Sequence, residues 1–281
     1  MPETGKHHIE RNTVQETLVI PLYGRKLCGQ LFPSLYRDPF AEELCAQLDY
    51  DFSALDRKAA GFLYRYGALE AAMRQIDIMA EIRDYLHDHP NATIVNLGCG
   101  LDQTCQACDN GTVSKINMDL PDVIEVRKRL LGTGDRERNV SCDLNDLSWL
   151  DGIRADNGVV LFAAGVFHYF TQSQVERIVR GIGQGLPGSR LIFDTVGKTL
   201  SRMMLGTTLK SAGINAVDGP FHLAAPEREL GEWVPGARVR SRGYMLGYHD
   251  MRASGVSALH RGLARLCDGP FKMRVNSIDF P

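Results

Sequence analysis

Apolar and polar positions follow two different spacings along this chain, one typical of helices and the other of buried strands. Residues 62–89 place apolar side chains at intervals of three and four, which predicts one long helix. Upstream, residues 13–51 combine short apolar patches with three prolines, among them Pro21. Because proline interrupts helices, we expect short helices joined by turns in that segment.

After residue 92 the two spacings alternate. Short apolar runs typical of buried strands occupy residues 93–97, 113–118, 139–142, 159–164 and 190–195. The intervening segments predict helices at 101–107, 122–131 and 172–185. Such alternation predicts an α/β fold, a Rossmann-like, mostly parallel sheet with helices on both faces. Ligands of such sheets bind beyond the carboxyl ends of the strands, beside the first strand.

The pattern loosens past Lys198. It predicts a helix at 199–212, a glycine- and proline-rich stretch at 213–226, a helix at 227–233, a strand at 238–246, a helix at 256–267 and a strand at 271–280. The closing elements suggest a hairpin-like finish with an antiparallel final strand. We therefore expect an N-terminal helical cap over residues 1–66. A ligand-binding domain over 67–281 would follow, with substrate-side insertions around 197–237.

Composition excludes several classes of protein. The formal net charge is −2, from 32 basic and 34 acidic side chains, so neither nucleic acid nor an anionic membrane is an expected partner. No apolar run approaches the roughly 20 residues that span a bilayer. Residues 1–11 lack the apolar core of a secretory signal. The seven cysteines are odd in number and irregularly spaced, which favours a reducing, cytoplasmic location.

Two pairs of residues resemble metal ligands. Cys105 and Cys108 have the spacing of a zinc or redox pair, but no second pair follows, so we expect them on a helix face. Asp156 and Asn157 precede the fourth predicted strand, which places them at the edge of the sheet away from the ligand. We therefore expect no metal site.

The segment 93–104 carries the strongest chemical signal. Gly98 and Gly100 form a turn after the first predicted strand, where glycine lets the backbone approach a ligand closely. Gln103 stands where a dinucleotide fingerprint needs its third glycine, and Asp102 would repel a pyrophosphate at the helix start. A carboxylate there suits a cationic ligand or simply caps the helix. These departures favour S-adenosylmethionine over NAD, with a purely structural turn as the alternative.

Acidic side chains follow the next two strands. Asp119 ends the second strand, nineteen residues after Gly100, at the spacing of a ribose-binding carboxylate. It would alternatively cap the helix that starts near Pro121. Asp143 and Leu144 follow the third strand, where they would bind the adenine amino group and pack on the ring. An ordinary polar turn is the alternative for that segment.

Several segments, in this order, resemble the leucine carboxyl methyltransferase family, which includes bacterial O-methyltransferases of polyketide synthesis. They are RDPFA (37–41), AMRQID (72–77), VNLGCGLD (95–102), MDLPDVI (118–124), DL (143–144) and, less closely, AAGVFHYF (163–170). The resemblance runs from about residue 38 to residue 195 and weakens after Lys198. It implies a class I methyltransferase sheet with an N-terminal helical cap and S-adenosylmethionine as cofactor.

The resemblance also assigns Arg74 to the carboxylate of the cofactor, a role that suits the forked guanidinium. The alternative is a surface arginine on an amphipathic helix. Together, these inferences give the predicted cofactor-binding residues: Arg74, Asn96, Gly98, Cys99, Gly100, Asp119, Leu120, Asp143, Leu144 and Ala163. Two departures mark a divergent branch. Ala164 stands where the family usually has Glu, and residues 103–106 lack its usual arginine.

The residues that would act on a methyl acceptor are less well marked. A carboxylate acceptor needs no base, whereas a hydroxyl acceptor needs one within hydrogen-bonding reach. His168 follows the fourth strand and Asp194 lies near the end of the fifth, so they are candidates for a base and its orienting group. A structural histidine and a buried, bonded aspartate are the alternatives.

The predicted activity is methylation of a carboxyl or hydroxyl group on a small molecule, such as a polyketide-like or aromatic acid. Aromatic side chains of the cap would suit such an acceptor or simply form core: Tyr23, Phe32, Tyr36, Phe62, Tyr64 and Tyr66. Alternatives are a non-catalytic S-adenosylmethionine-binding protein and an NAD(P)-dependent oxidoreductase. The sequence does not fix the oligomeric state.

Overall fold

A group of helices precedes the sheet. The computed structural model describes residues 6–9, 14–199 and 221–281, and the structural statements below concern those residues. The N-terminal helices are α1 (Val14–Leu31), α2 (Pro39–Gln47), α3 (Ser53–Ala59) and α4 (Phe62–Asp88). Two short parallel strands, β1 (His7–His8) and β2 (Leu48–Asp49), join the segments that flank α1 and α2.

Helix α1 corrects one prediction. Short helices joined by turns were expected, but one 18-residue helix runs through Pro21. Tyr23, Leu27 and Cys28 of α1 are buried in the same core cluster as the apolar face of α4. Burying these side chains offsets the roughly 3 kcal/mol that proline costs inside a helix.

The main sheet has seven strands. They are β3 (Thr93–Leu97), β4 (Ser114–Asp119), β5 (Glu137–Ser141), β6 (Val159–Ala163), β7 (Arg190–Thr195), β8 (Arg238–Gly243) and β9 (Arg274–Asp279). Their order is β5-β4-β3-β6-β7-β9-β8. The pairs from β5 to β7 are parallel, whereas β9 is antiparallel to both of its neighbours. The predicted mostly parallel sheet with an antiparallel final strand is confirmed.

The remaining helices connect the strands. They are α5 (Thr104–Ala107), α6 (Pro121–Leu131), α7 (Gln172–Gly185), α8 (Pro226–Trp233) and α9 (Ala258–Asp268). The helix predicted at 101–107 is only one turn long, because Asp102 lies outside it and accepts a hydrogen bond from the Thr104 N–H. Beyond Thr199, which is helical, the helix predicted at 199–212 lies outside the described residues, and so does most of the loop predicted at 213–226.

Strand β6 shows how both faces of the sheet are covered. Val160 and Phe162 point to the face where α4 packs. Leu161 and Ala163 point to the opposite face, in the core cluster that contains the buried side of α7. Alternate side chains of a strand point to opposite faces, so a continuously apolar strand must be buried on both. The predicted covering of both faces by helices is confirmed.

The strand order places a crevice at one edge of the sheet. The chain runs outward from β3 to β4 and β5, and then crosses back to β6 on the other side of β3. The strand order therefore reverses at β3, and ligand sites of open α/β sheets lie beyond the carboxyl ends of the strands at such a point. The predicted domain boundary at residue 66 falls within α4 and stays a prediction. In the described part of the chain, no helix is long and apolar enough to cross a membrane.

Candidate functional site

Two adjoining cavities lie at this edge of the sheet. The larger cavity, of about 430 Å³, is bounded by the loops that follow β3, β4, β5 and β6. The smaller cavity, of about 380 Å³, lies among α1, α4 and the segments after β6 and β7. Both volumes are in the range of small-molecule sites. The cavities share one wall, formed by Pro21, Ala71, Arg74, Gly165 and Tyr169.

The larger cavity collects most of the residues predicted to bind a cofactor. Those that line it are Arg74, Asn96, Gly98, Cys99, Gly100, Asp119, Leu120, Asp143 and Leu144. Ala163 does not, because its side chain is buried in the core on the α7 face of the sheet. The next residue, Ala164, lines the cavity instead. Residues that are distant in the sequence therefore line the same cavity in the folded chain.

The glycine turn is fastened to the neighbouring strand. Gly98 and Gly100 have φ angles of 66° and 47°, in the left-handed region that favours glycine. The Gly100 N–H donates to Oδ2 of Asp119 at 2.7 Å, and the Leu120 N–H donates to Oδ1 at 2.8 Å. Burial raises the pKa of Asp119, and these two donors partly oppose the shift. Asp119 thus holds the turn, lines the cavity and keeps lone pairs that can accept further hydrogen bonds.

Arg127 was missed by sequence reasoning. This α6 side chain is only 1% exposed, and its Nη1 donates to the carbonyl oxygens of Gly100 at 3.0 Å and Asp102 at 2.8 Å. It therefore supports the same turn from behind. Its place in a run of three basic residues indicated a surface position. Arg127 lies four residues after Val123 and three after Ile124, which are both buried. Residues at this spacing share a face of a helix, and that was the signal that could have found it.

The charges around the larger cavity are mixed. Asp102, Asp119 and Asp143 line it together with Arg25 and Arg74. The Asp102 carboxylate already accepts from the first N–H of α5, so that helix start is a poor site for a phosphate. The arrangement suits a ligand that carries both positive and negative groups.

The wall of the larger cavity also contains an unsatisfied donor. Asn96, near the end of β3, is 1% exposed, and its Nδ2 has no hydrogen-bond partner among the described residues. A buried amide without a partner costs about 1–3 kcal/mol. A ligand with an acceptor atom at this point would recover that energy.

A charged cluster lies at the shared wall. Asp194, near the end of β7, is 1% exposed. Its Oδ2 lies 3.5 Å from Nη1 of Arg74 and 3.0 Å from Nε2 of His168, and its Oδ1 accepts from the Gly165 N–H at 2.6 Å. Burial by itself raises the pKa of Asp194, but Arg74, His168 and the Gly165 N–H outweigh it and hold that pKa below its ordinary value. Asp194 is therefore a stable carboxylate that orients both Arg74 and His168.

The predicted pair of His168 and Asp194 is thus in hydrogen-bonding contact. His168 lines the smaller cavity only. Because an ionised carboxylate only accepts hydrogen bonds, Nε2 carries the hydrogen in this contact and Nδ1 is the nitrogen left to accept a proton. This contact is the one that a base and its orienting group would make, beside the smaller cavity.

The smaller cavity is mostly apolar. Its apolar lining comprises Ile20, Pro21, Leu27, Leu55, Leu63, Ala68 and Val196, with the rings of Tyr23, Tyr64 and Tyr169. Of the aromatic side chains predicted for the cap, Phe32, Tyr36 and Tyr66 pack in the core instead. Phe62 stacks on His260, with ring centroids 4.3 Å apart. Among the described residues, the acidic and basic side chains that line this cavity are Glu70, Arg74 and His168.

The cysteines are free thiols, and most of them are buried. Burial raises the pKa of Cys105 and Cys108, which makes them poor metal ligands. Within the described ranges, no group of three or more His, Cys, Asp or Glu side chains is arranged to hold a metal ion.

Two comparisons of the sequence identify related proteins. The model of the leucine carboxyl methyltransferase family matches residues 26–183. The chain is 32% identical, over 235 residues, to the tetracenomycin polyketide synthesis O-methyltransferase TcmP of Streptomyces glaucescens. The alignment covers 83% of each protein.

Solved structures resemble the fold. A DUF574 family protein from Streptomyces avermitilis aligns with a TM-score of 0.56 at 17% identity, covering 92% of this chain and 97% of that one. An S-adenosylmethionine-dependent methyltransferase from Mesorhizobium loti aligns with a TM-score of 0.52 at 18% identity, covering 75% and 99%. The fold is that of class I methyltransferases, and the extent of the sequence matches places this chain in the leucine carboxyl methyltransferase family.

Proposed function

We propose that this chain is an S-adenosylmethionine-dependent O-methyltransferase that holds the cofactor in the larger cavity and a small-molecule acceptor in the smaller one. The observation that carries the proposal is the wall that the cavities share at Arg74, Gly165 and Tyr169. Methyl transfer requires the two reactants to meet in line across a short gap. Adjoining cavities with one common wall would hold the two reactants side by side.

The residues of the larger cavity suit this cofactor. Arg74 would bind its carboxylate, Asp119 its ribose hydroxyls and Asp143 its adenine amino group, while Leu144 would pack on the ring. The unsatisfied Nδ2 of Asn96 offers one further donor. When bound, the cofactor supplies an electrophilic methyl group. The carboxylates of Asp102, Asp119 and Asp143 favour the positive groups of this cofactor and disfavour the diphosphate of NAD.

His168 is the proposed base for a hydroxyl acceptor. Its Nδ1 would take the hydroxyl proton, and Asp194 would stabilise the resulting imidazolium through Nε2. A carboxylate acceptor is already ionised and would need only positioning in the apolar cavity. The name of TcmP, a polyketide-synthesis O-methyltransferase, supports a polyketide-like or aromatic acceptor.

One observation favours a second candidate, a non-catalytic S-adenosylmethionine-binding protein. Ala164 lines the larger cavity at the position where the family resemblance places a glutamate. One carboxylate that would contact the cofactor is therefore absent, which lowers the expected affinity. Asp102, Asp119 and Asp143 remain as acidic contacts.

Calorimetry and methyl transfer separate these candidates. We expect S-adenosylhomocysteine and S-adenosylmethionine to bind and NAD⁺ not to bind. Labelled S-adenosylmethionine should then methylate at least one member of a panel of naphthols, naphthoic acids and hydroxybenzoic acids. Binding without transfer to any member favours the non-catalytic candidate, and NAD⁺ binding alone overturns the proposal.

A further inference from the structure

Glu70 is the acidic side chain that faces the smaller cavity. It lies on α4 one turn before Arg74, and residues four apart on a helix share a face. Arg74 reaches both cavities, whereas Glu70 lines only the smaller one. The role proposed for the site in methyl transfer uses Arg74, His168 and Asp194, and leaves Glu70 without a task.

The Glu70 carboxyl is held in place from outside the cavity. The hydroxyl of Tyr244, which is 1% exposed and lines neither cavity, donates to Oε1 of Glu70 at 2.9 Å. No other hydrogen bond joins the Glu70 carboxyl to a residue in the described part of the chain. Its second oxygen is therefore available to a molecule in the smaller cavity, where most of the remaining wall is apolar.

The chemistry of this position selects a particular partner. A carboxyl oxygen accepts a hydrogen bond whether or not the other oxygen is protonated. Burial raises the pKa of Glu70, with the Tyr244 hydroxyl and Arg74 opposing the shift. A second carboxylate beside Glu70 would be repelled or would force a proton onto one of the pair. A neutral hydroxyl fits, because it donates to the free oxygen without adding charge.

We propose that Glu70, positioned by Tyr244, is a specificity-determining residue that binds a hydroxyl group of the methyl acceptor other than the group that is methylated. This inference rests on the proposed use of the smaller cavity as the acceptor site. The acceptor is then a planar, mainly apolar molecule that carries at least one hydroxyl in addition to its reacting oxygen. A site that hydrogen-bonds a ligand hydroxyl rejects the analogue without it, because the buried polar group is left unpaired.

The test compares matched ligands in protein saturated with S-adenosylhomocysteine. The probes are 1-naphthol with its dihydroxynaphthalene isomers, and 2-naphthoic acid with its monohydroxy isomers, titrated by calorimetry. For wild type we expect at least one hydroxylated isomer to bind about tenfold more tightly than its parent. Glu70→Leu should reduce that ratio to about twofold. Glu70→Gln should keep part of it, because the amide oxygen still accepts.

Two further variants separate recognition from folding. Tyr244→Phe removes only the hydroxyl that positions Glu70, so the ratio should fall while the affinity for S-adenosylhomocysteine is kept. Glu43→Gln changes an exposed glutamate of α2 and should leave the ratio unchanged. If Glu70→Leu does not fold, the affinity ratios measured in Glu70→Gln and Tyr244→Phe test the role of Glu70.

The outcomes distinguish this inference from the proposed function. Equal ratios in wild type and the Glu70 variants, or no hydroxyl preference in wild type, overturn the role of Glu70. If none of the probes binds the saturated protein, that result also counts against the role of Glu70. Failure of wild type to bind S-adenosylhomocysteine overturns the proposed function itself.

Discussion

Arg74 Nη1 lies 3.5 Å from Asp194 Oδ2, although the two residues are 120 positions apart in the sequence. The contact joins helix α4 to strand β7 at the wall between the two cavities. The same carboxylate binds His168 on the acceptor side. One buried anion therefore orients both the proposed cofactor-binding cation and the proposed base.

Removing the guanidinium tests the first of these roles. We expect Arg74→Ala to weaken the binding of S-adenosylhomocysteine by about 10- to 100-fold, because a hydrogen bond to a charged group contributes about 1.5–3 kcal/mol. Isothermal titration calorimetry gives the affinity. Arg57→Ala, at an exposed position of α3, serves as the control and should bind like wild type. An unchanged affinity in Arg74→Ala would show that another residue binds the carboxylate.

Gly165→Ala should disturb the same arginine through the backbone. Gly165 has φ +70°, and a Cβ there would lie 2.7 Å from Nη1 of Arg74. Gly188 has φ +73°, and nothing lies within 4 Å of the position that a Cβ would take there. Gly188→Ala therefore has the same backbone strain without a new contact. Gly188→Ala should lose about 1 kcal/mol of unfolding free energy and Gly165→Ala at least as much, and only Gly165→Ala should lose affinity for S-adenosylhomocysteine. Equal affinities in the two variants contradict the role given to this contact.

Arg127→Met tests the support of the glycine turn. The substitution leaves the carbonyls of Gly100 and Asp102 without their buried donor, so we expect a loss of about 3 kcal/mol in urea unfolding and weaker S-adenosylhomocysteine binding. Arg129→Met changes an exposed residue of the same helix and should cost less than about 0.5 kcal/mol. A similar stability for the two variants would contradict the role of Arg127.

His168→Gln discriminates the two classes of acceptor. If the reacting group is a hydroxyl, we expect the rate of methyl transfer to fall by about 10²- to 10⁴-fold with little change in cofactor affinity, because the base is lost. If it is a carboxylate, the fall should stay below about tenfold. Single-turnover transfer from labelled S-adenosylmethionine measures the rate. His87→Gln, on the exposed side of α4, is the control.

Asp77→Asn should change how stability depends on pH. Asp77 of α4 is 1% exposed, its Oδ1 lies 3.3 Å from Nε2 of His249, and neither atom has a hydrogen-bond partner among the described residues. Burial, with smaller contributions from Asp268 and Glu81, raises the pKa of Asp77 from 3.8 to about 9. The folded protein therefore keeps a proton that the unfolded chain releases, and the contribution of Asp77 to stability falls as pH rises between those values.

The Asn variant lacks this penalty. Relative to wild type, we expect it to gain up to about 5 kcal/mol of unfolding free energy at pH 8 and nothing below pH 4, measured by urea unfolding. Asp88→Asn, at an exposed position of the same helix, should show no such pH-dependent difference. A difference from wild type that stays constant between pH 5 and pH 8 would contradict the high pKa of Asp77.

The strands, the long helix and the glycine turn could be predicted from the order of neighbouring residues. Strand runs such as residues 159–164, and the turn at Gly98 and Gly100, are encoded by neighbouring residues, because burial periodicity and φ preferences are short-range properties. The same short-range rules misread Pro21, where burial against α4 outweighs the local cost of proline in a helix.

The contacts between side chains could not be predicted in this way, because they depend on the packing of distant elements. Arg127 reads as a surface residue in its basic run, and its burial depends on the turn that packs over α6. Tyr244 and Glu70 are 174 positions apart, and nothing local to either one predicts their hydrogen bond. Ion pairs and cavities depend on how distant elements pack, so their partners are fixed by long-range contacts that a local pattern does not contain.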